Sequence, residues 1–153
     1  MTEVGMEPVG RRPMERGASL GYVVNHLARL MEQALRDRIA PHGVVPGQFA
    51  QLLALYEEEG LTQQQLCAKV RIDQSTMAHT LKRMERDGLI VRTADPADGR
   101  RALIHLTDRA RRLRPELTAA AREVNALATA RFSDADREVF LRMIRHAIVT
   151  LEG

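Results

Sequence analysis

Basic side chains are concentrated between residues 61 and 107. This segment carries eight Lys or Arg residues and five Asp or Glu residues, whereas the remaining residues include equal numbers of each sign. The segment therefore accounts for the whole formal net charge of +3. Ammonium and guanidinium groups neutralise phosphates and release their counterions. Charge concentrated in one segment predicts a surface that meets a polyanion.

A predicted helix over 74–87 offers side chains that could contact base edges. Its apolar side is Met77, Leu81 and Met84, at spacing i, i+4, i+7. The opposite side presents Ser75, Thr76, His79, Thr80, Arg83 and Arg86. An α-helix fits the major groove of duplex DNA, where hydroxyl, imidazole and guanidinium groups can meet base edges. Taken alone, the same face is also compatible with an ordinary solvated helix side.

The preceding segment predicts a second short helix. Thr62 and Gln65 have the spacing of a capping box, which indicates a helix over 62–70. The N-terminal amides of Thr62, Gln63 and Gln64 would lie near a phosphate, because the N-terminus of a helix carries a partial positive charge. Lys69 and Arg92 are further candidates for phosphate contacts.

A tight turn joins these two helices. Asp73 can cap the helix over 74–87 after the turn at 71–73, and Gly88 can end that helix. Two short helices joined in this way make a helix-turn-helix.

A two-stranded hairpin is expected after Gly88. Leu89–Ala94 and Arg101–Leu106 are β-prone runs, and the turn between them contains a Pro and Gly99, where φ can be positive. Arg100 and Arg101 at the tip are candidates for insertion into a narrow A·T-rich minor groove, which has an enhanced negative potential. We expect Asp98 to brace an Arg rather than touch DNA, because DNA repels a bare carboxylate.

Helical patterns flank this segment. Apolar residues recur at helical spacing from residue 18 to 39, and Pro46 suits the first turn of a helix that runs to Glu59, with Gly60 as its C-terminal cap. We expect that helix to bury Phe49, Leu52, Leu53 and Tyr56. Thr107 can cap a helix over 108–131, in which Pro115 predicts a kink or a restart. Ser133 with Asp136 opens a last helix. Its apolar stripe is Phe140, Met143, Ile144, Ala147, Ile148 and Leu151.

The predicted fold class is mainly α, an α+β winged helix-turn-helix with a two-stranded wing and additional helices at both ends. We expect a disordered tail over 1–17 and a single domain over 18–153. In that domain the winged helix-turn-helix covers about 46–107, and dimerisation helices cover about 18–40 and 108–152. The terminal helices carry more apolar surface than the winged segment can cover, which favours packing on a second copy, since closed two-fold dimers are the commonest oligomers. The alternative is a three-helix cap on a monomer.

The segment from Leu61 to Thr107 resembles the winged helix of the MarR family, the multiple-antibiotic-resistance type of bacterial regulator. The specific matches are LKRMERDGLIVR, from Leu81 to Arg92, and the Asp98-Gly99-Arg100 tip followed by Leu106-Thr107. The resemblance implies an obligate homodimer of triangular shape, a palindromic operator and usually repression. It also implies that the reading helix begins near Ser75 and that Arg100 reads the minor groove.

The resemblance also raises the question of an effector. Many members of the family bind small aromatic acids in a crevice between the winged helix and the dimer helices, and others sense peroxides through a Cys near the start of the first helix. This chain has no Cys there, and we expect Cys67 to be a small buried hydrophobic residue.

Tyr22, His26 and Arg29 share one helix face, and with His42 and Gln51 they could hold an aromatic carboxylate or a phenolic effector. The alternative is that this face is exposed to solvent or covers the dimer interface.

Composition narrows the function classes. The five His residues lack metal-ligand spacing, and we find no nucleophile with a base, no phosphate-binding Gly loop and no paired catalytic carboxylates, so neither an enzyme nor a cofactor or metal is expected. No aromatic residue falls within 61–107, which favours duplex DNA over unpaired bases. No signal peptide is recognisable and the longest apolar run has five residues, so we expect a cytoplasmic protein without a membrane partner.

The sequence therefore predicts a sequence-specific DNA-binding repressor of adjacent genes that a small aromatic acid releases. The alternative function is a winged-helix module that binds a protein and not DNA.

Overall fold

The computed structural model describes residues 13–153. In this range the chain forms six α-helices and one two-stranded antiparallel sheet. The elements are α1 Leu20–Ile39, α2 Pro46–Glu57, α3 Gln63–Val70, α4 Gln74–Arg86, β1 Ile90–Ala94, β2 Ala102–Leu106, α5 Asp108–Ala128 and α6 Asp134–Glu152. Short 3-10 helices cover Arg16–Ala18 and Ala40–His42. Most of the predicted tail lies outside the described residues, but residues 16 and 17 already belong to a helical turn.

Side-chain caps start four of these helices where the sequence predicts them. At α3, Thr62 Oγ1 accepts the N–H of Gln65 at 3.2 Å, and Gln65 Oε1 accepts the N–H of Thr62 at 2.9 Å, which completes the capping box. At the other three helices, a side-chain oxygen accepts the N–H of the residue three positions later. The caps are Asp73, Thr107 and Ser133, at 2.8, 3.2 and 3.1 Å. These caps satisfy amides that have no partner within the helix.

The helix α2 differs from its prediction at its end and in its orientation. It ends at Glu57, and Gly60, at φ 75°, belongs to the loop that follows, where its N–H donates to the carbonyl of Ile104 at 2.9 Å. Leu53 is exposed, whereas Leu55 is buried in its place. The prediction was based on a single buried stripe. In the structure α2 is covered on two sides, so that Gln48 and Gln51 are buried as well.

The core of the winged segment lies between α2, the helix-turn-helix and the wing. Its members include Leu66, Met77, Leu81, Met84, Leu89 and Ile104, each at most 1% exposed. The strands pair with Ile90 opposite Leu106 and Ala94 opposite Ala102, and Leu61 adds an isolated bridge to Ile104. Gly88, at φ 71°, follows α4 and donates its N–H to Glu85, as expected of a helix terminator.

The terminal helices meet this core to different extents. Ile39 of α1 and Ala110, Leu117 and Ala120 of α5 belong to it, whereas α6 contributes no buried residue. The helix α5 runs unbroken through Pro115, so the restart that the sequence allowed does not occur, and the helix ends at Ala128 rather than at residue 131. Tyr56 anchors α5 by donating its hydroxyl to the carbonyl of Ala110 at 2.6 Å. Every residue of α6 is exposed in the single chain. Among residues 13–153 no helix has the length and hydropathy that crossing a membrane requires.

Candidate nucleic-acid interface and effector crevice

The polar face of α4 lies on the surface, opposite a fully buried apolar face. Met77, Leu81 and Met84 are 0% exposed, which fixes the rotation of the helix. Ser75, Thr76, His79 and Arg83 are exposed, and Thr80 is half-buried. Lys82, which was not among the residues predicted to contact DNA, is also exposed and lies one helical turn beyond His79. Its spacing from His79 was the signal that could have found it.

A concave surface lies between the N-terminus of α3 and the wing and surrounds a cavity of about 340 Å³. Its lining includes Thr62, Gln63, Gln64, Gln74, Arg92 and Arg101. The Gln63 amide donates to the carbonyl of Gln74 at 3.3 Å and to its Oε1 atom at 3.1 Å, which ties together the N-termini of the two helices. Four predicted phosphate contacts and Arg101, which was predicted for the minor groove, therefore meet here, and Gln74, which follows the Asp73 cap directly, joins them.

Carboxylates hold two of the candidate cations. Arg92 Nε lies 3.0 Å from Glu85 Oε2, and Lys69 Nζ lies 2.9 Å from Glu58 Oε2. Arg92 still lines the concave surface, but Lys69 sits beside the C-terminal end of α2. The partner of Lys69 comes from another element, so its position could not be read from local spacing.

The wing tip is built by side-chain acceptors rather than by a left-handed glycine. Asp95 Oδ1 accepts the N–H of Ala97 at 2.9 Å, and Asp98 Oδ1 accepts the N–H of Arg100 at 3.1 Å. Gly99 is not among the described residues with positive φ, which corrects the expectation from the turn sequence. The Asx-type bonds of these two aspartates replace it in shaping the turn.

The two tip arginines have different surroundings. Arg101 Nε lies 3.8 Å from Asp95 Oδ2 and 3.9 Å from Asp98 Oδ2, so the bracing expected of Asp98 acts on Arg101 and on the backbone of Arg100. The Arg100 guanidinium forms no ion pair with any residue from 13 to 153. Arg100 is thus available to an external anion.

A crevice of about 550 Å³ lies between α1, α2 and α5. Its lining is Met31, Glu32, Leu35, Pro46, Gly47, Phe49, Ala50, Leu53, Ala121, Val124 and Asn125. The volume and the apolar lining are typical of sites for small organic molecules.

None of the five residues predicted to hold an effector lines this crevice. Tyr22, His26 and Arg29 share an exposed face, with the two rings 6.5 Å apart, on the side of α1 away from Met31 and Leu35. Spacing showed that the three residues share a face but could not show which face points inward.

The other two predicted effector residues serve the protein's own packing. The His42 carbonyl accepts a 2.8 Å hydrogen bond from Arg109. Gln51 is 2% exposed, and its Oε1 atom accepts no hydrogen bond from the described residues.

A polar link connects the crevice wall with the end of α4. Gln48, which lies between the lining residues Gly47 and Phe49, donates to Asp87 Oδ2 at 2.8 Å. This bond, followed by the charge and hydrogen bond of Arg86, lowers the pKa of the Asp87 carboxyl. Arg109 completes the link by donating to the carbonyls of Asp87 and His42 at 2.7 and 2.8 Å.

Cys67 is 8% exposed in α3, as expected of a buried hydrophobic residue. Burial, and to a smaller extent the charge of Asp73, raises the pKa of its thiol above the ordinary value. A raised pKa disfavours the thiolate that a peroxide sensor needs. No cluster of three or more His, Cys, Asp or Glu side chains suited to a metal ion occurs in the described part of the chain.

Comparison with known proteins places these features in a family. The family model described as "MarR family" matches residues 42–101, from the α1–α2 connection to the wing tip. A putative transcriptional regulatory protein for the hcr operon of Thauera aromatica is 30% identical over 84% of this chain and 80% of its own length. The HTH-type transcriptional regulator TtmR of Methylorubrum extorquens is 33% identical over 73% of this chain, but the match spans only 58% of TtmR.

The similarity extends to solved structures. The PcaV transcriptional regulator of Streptomyces coelicolor, solved in complex with its natural ligand, superposes with a TM-score of 0.80. It is 28% identical in sequence, and the match covers 90% of this chain and 96% of PcaV. The similarity thus includes the terminal helices as well as the winged segment.

Proposed function

Because the chain belongs to the MarR family of DNA-binding transcription regulators and is not an enzyme, we propose that it is a homodimeric repressor of adjacent genes. Its palindromic operator would be read by two copies of α4, and a small aromatic effector would release it. The observation that carries this proposal is the exposed polar face of α4 beside a concave surface that gathers Arg92 and Arg101.

Each part of the proposed DNA interface has its own physical role. Ser75, Thr76 and His79 meet base edges in the major groove, and Arg83 reaches a guanine or a phosphate. The amides at the N-terminus of α3 fix the register on the backbone. Arg100, which is unpaired among residues 13–153, enters the minor groove, and Arg101 stays close to the tip because two aspartates hold it.

The exposed apolar residues of the terminal helices support the proposal of a homodimer. Large apolar side chains are between 36% and 88% exposed on α6 and in the turn before it. The set is Phe132, Val139, Phe140, Leu141, Met143, Ile144, Ile148, Val149 and Leu151. An exposed apolar surface of this extent marks an interaction site. A two-fold dimer through α1 and α6 would cover it and would place two copies of α4 about one DNA turn apart, roughly 34 Å.

The crevice between α1, α2 and α5 supports an effector. It has room for a planar ring, and Phe49 offers an aromatic wall. The structurally similar PcaV was solved with its natural ligand. An effector acts by binding one arrangement of the dimer more tightly than the other, so its occupancy shifts the population away from the DNA-competent form.

The experiment that tests this function combines DNA binding with assembly. Gel shifts of the purified chain with duplexes from its own upstream region should show a salt-sensitive complex, with sedimentation showing a dimer at micromolar protein. Failure to bind any upstream duplex at about 50 mM salt, where phosphate contacts are strong, would contradict the proposal. Pull-down of a stable protein partner without DNA protection would favour the interaction-module alternative.

A further inference from the structure

We propose that Glu85 is a positioning residue for DNA binding, although its charge has the sign that DNA repels. Glu85 holds the guanidinium of Arg92 in the angle between α4 and the wing, where two concave surfaces meet. This inference rests on the proposed DNA interface and adds to it a residue that acts through another side chain of the protein rather than by touching DNA.

Arg92 lies where the two surfaces meet. The first is the concave surface between the N-terminus of α3 and the wing, which Arg92 lines together with Arg101. The second lies between the C-terminal half of α4 and β1 and surrounds about 510 Å³, and its lining is Lys82, Glu85, Arg86 and Arg92. Of the described residues, Arg92 alone lines both surfaces. A DNA backbone that follows the wing side of α4 would therefore pass Arg92.

The ion pair fixes one edge of the Arg92 guanidinium and leaves the other edge open. Arg92 Nε donates to Glu85 Oε2 at 3.0 Å, whereas neither Nη atom donates a hydrogen bond to any residue from 13 to 153. Arg92 extends from the same face of β1 as the buried Ile90, because residues two apart in a strand share a face. Glu85 is its one ion-pair partner in the described part of the chain, so its removal would leave the guanidinium free to rotate into solvent.

The exposure of the pair separates orientation from stability. The side chain of Arg92 is 29% exposed and that of Glu85 is 51% exposed. Ion pairs with this exposure stabilise a fold only slightly, because water and salt screen them. A cation that is already oriented, by contrast, loses less conformational freedom when it binds a phosphate, so its affinity for the phosphate is higher. Loss of Glu85 should therefore lower DNA affinity while it leaves the folded chain intact.

Glu85 has two opposing effects on DNA affinity. Its negative charge repels phosphates, so that removal of the charge alone would tighten binding. Its contact with Arg92 positions a phosphate contact, so that removal of this contact would weaken binding. Glu85→Gln and Glu85→Ala remove the same charge, but the Gln variant keeps an oxygen that can accept the Arg92 Nε–H. A difference in affinity between these two variants reports the orientation of Arg92 rather than the charge.

The test measures the affinity of the full chain for a duplex from its own upstream region by fluorescence anisotropy at several salt concentrations. We expect Glu85→Ala to bind about threefold or more weakly than the unmodified chain and to reduce the slope of log affinity against log salt by up to about one. Glu85→Gln should fall between the two. Because Glu85 acts through Arg92, adding Glu85→Ala to Arg92→Ala should cause no further loss.

Glu58→Ala is the matched control. It removes a carboxylate that lies 2.9 Å from another cation, Lys69, which lines neither concave surface. Its affinity should equal or exceed that of the unmodified chain. Thermal unfolding shows whether each variant is folded, and Glu85→Gln, which keeps the size of the side chain, still tests the inference against the unmodified chain if Glu85→Ala does not fold.

The outcomes distinguish this inference from the proposed function. Equal or tighter binding by folded Glu85→Ala, or equal affinities of the Ala and Gln variants, overturns the inference and leaves DNA binding in place. A further loss on adding Glu85→Ala to Arg92→Ala also overturns it, because Glu85 would then act independently of Arg92. If the unmodified chain binds none of its upstream duplexes, the proposed function and this inference fail together.

Discussion

Gln48 Nε2 donates a 2.8 Å hydrogen bond to Oδ2 of Asp87, and this bond joins the first turn of α2 to the C-terminal end of α4. Gln48 is 2% exposed, and its neighbours in the chain, Gly47 and Phe49, line the crevice. We expect a ligand that displaces the start of α2 to act on the end of α4 through this part-buried hydrogen bond. Because Arg109 also donates to the Asp87 carbonyl, α5 is attached at the same point.

Removing this hydrogen bond should lower the free energy of unfolding and weaken the proposed control of α4 by an effector. Gln48→Leu leaves the Oδ2 atom of Asp87 without its donor, and we expect a loss of about 1–3 kcal/mol in the free energy of unfolding. Gln48→Glu keeps the size of the side chain but places a second carboxylate against Asp87, so it should be less stable than Gln48→Leu at neutral pH. Urea unfolding at several pH values checks this, because protonation on acidification should narrow the gap between the two variants. Equal stability of Gln48→Leu and the unmodified chain would contradict the role of the bond.

Arg100 should contribute more to DNA affinity than other exposed arginines. Arg100→Ala removes the cation proposed to enter the minor groove, and we expect a loss of about 1–3 kcal/mol in operator binding. The loss should be larger on operators whose flanking sequence is A·T-rich, where the groove is narrow. Arg112→Ala, an exposed arginine on α5, is the matched control. Fluorescence anisotropy titrations measure both, and equal affinities for the two variants would remove Arg100 from the interface.

Salt dependence distinguishes the two roles open to Arg83. If Arg83 contacts a phosphate, Arg83→Ala should weaken binding to all duplexes alike and should reduce the slope of log affinity against log salt by about one. If it reads a guanine, the loss should be confined to one operator position. We expect the phosphate pattern, because Arg83 lies in the last turn of α4, away from the N-terminal half that carries Ser75 and His79. Titrations at four salt concentrations with single-base operator variants provide the measurement.

The dimer proposal can be tested on the exposed stripe of α6. Ile144→Asp places a charge in the centre of the apolar surface, so the variant should sediment as a monomer at micromolar concentration and bind the operator much more weakly. Val91→Asp makes a similar change at an exposed apolar residue of the wing, outside the proposed interface, and should remain dimeric. A dimeric Ile144→Asp variant would show that copies do not associate through this helix.

The features predicted correctly are those that local chemistry decides. The caps at Thr62, Asp73, Thr107 and Ser133 depend on contacts three residues apart, and the wing strands follow from short β-prone runs around a turn. The polar face of α4 follows from its 3.6-residue period.

The features that could not be predicted from the sequence depend on contacts between residues of different elements. The exposure of Leu53 is set by the packing of α2 on two sides, and the pairing of Lys69 with Glu58 joins two elements. Tyr22, His26 and Arg29 show the same limit, because a shared helix face does not reveal which neighbour it meets.

The last prediction concerns the connection between the wing and α5, where Glu59 accepts hydrogen bonds from the Nε and Nη2 atoms of Arg111 at 3.0 and 2.8 Å and from the N–H of Leu106 at 2.9 Å. The bond from Arg111, more than any other contact, lowers the pKa of the Glu59 carboxyl from its ordinary value. The pKa of Glu59 is therefore lower in the folded chain than in the unfolded chain. The ionised carboxylate stabilises the fold fully at pH values above its unfolded pKa, and this stabilisation is lost as the pH falls through its folded pKa.

Glu59→Gln should therefore be less stable than the unmodified chain at pH 7, and the difference should disappear as the pH falls below the pKa of Glu59 in the folded protein. Glu57→Gln, at an exposed position on the same helix end, should follow the unmodified chain across the whole range. Thermal unfolding between neutral pH and about pH 3, which spans ordinary carboxyl pKa values, measures all three proteins. A difference between Glu59→Gln and the unmodified chain that stays constant with pH would show that the ionised form of Glu59 contributes nothing to folding.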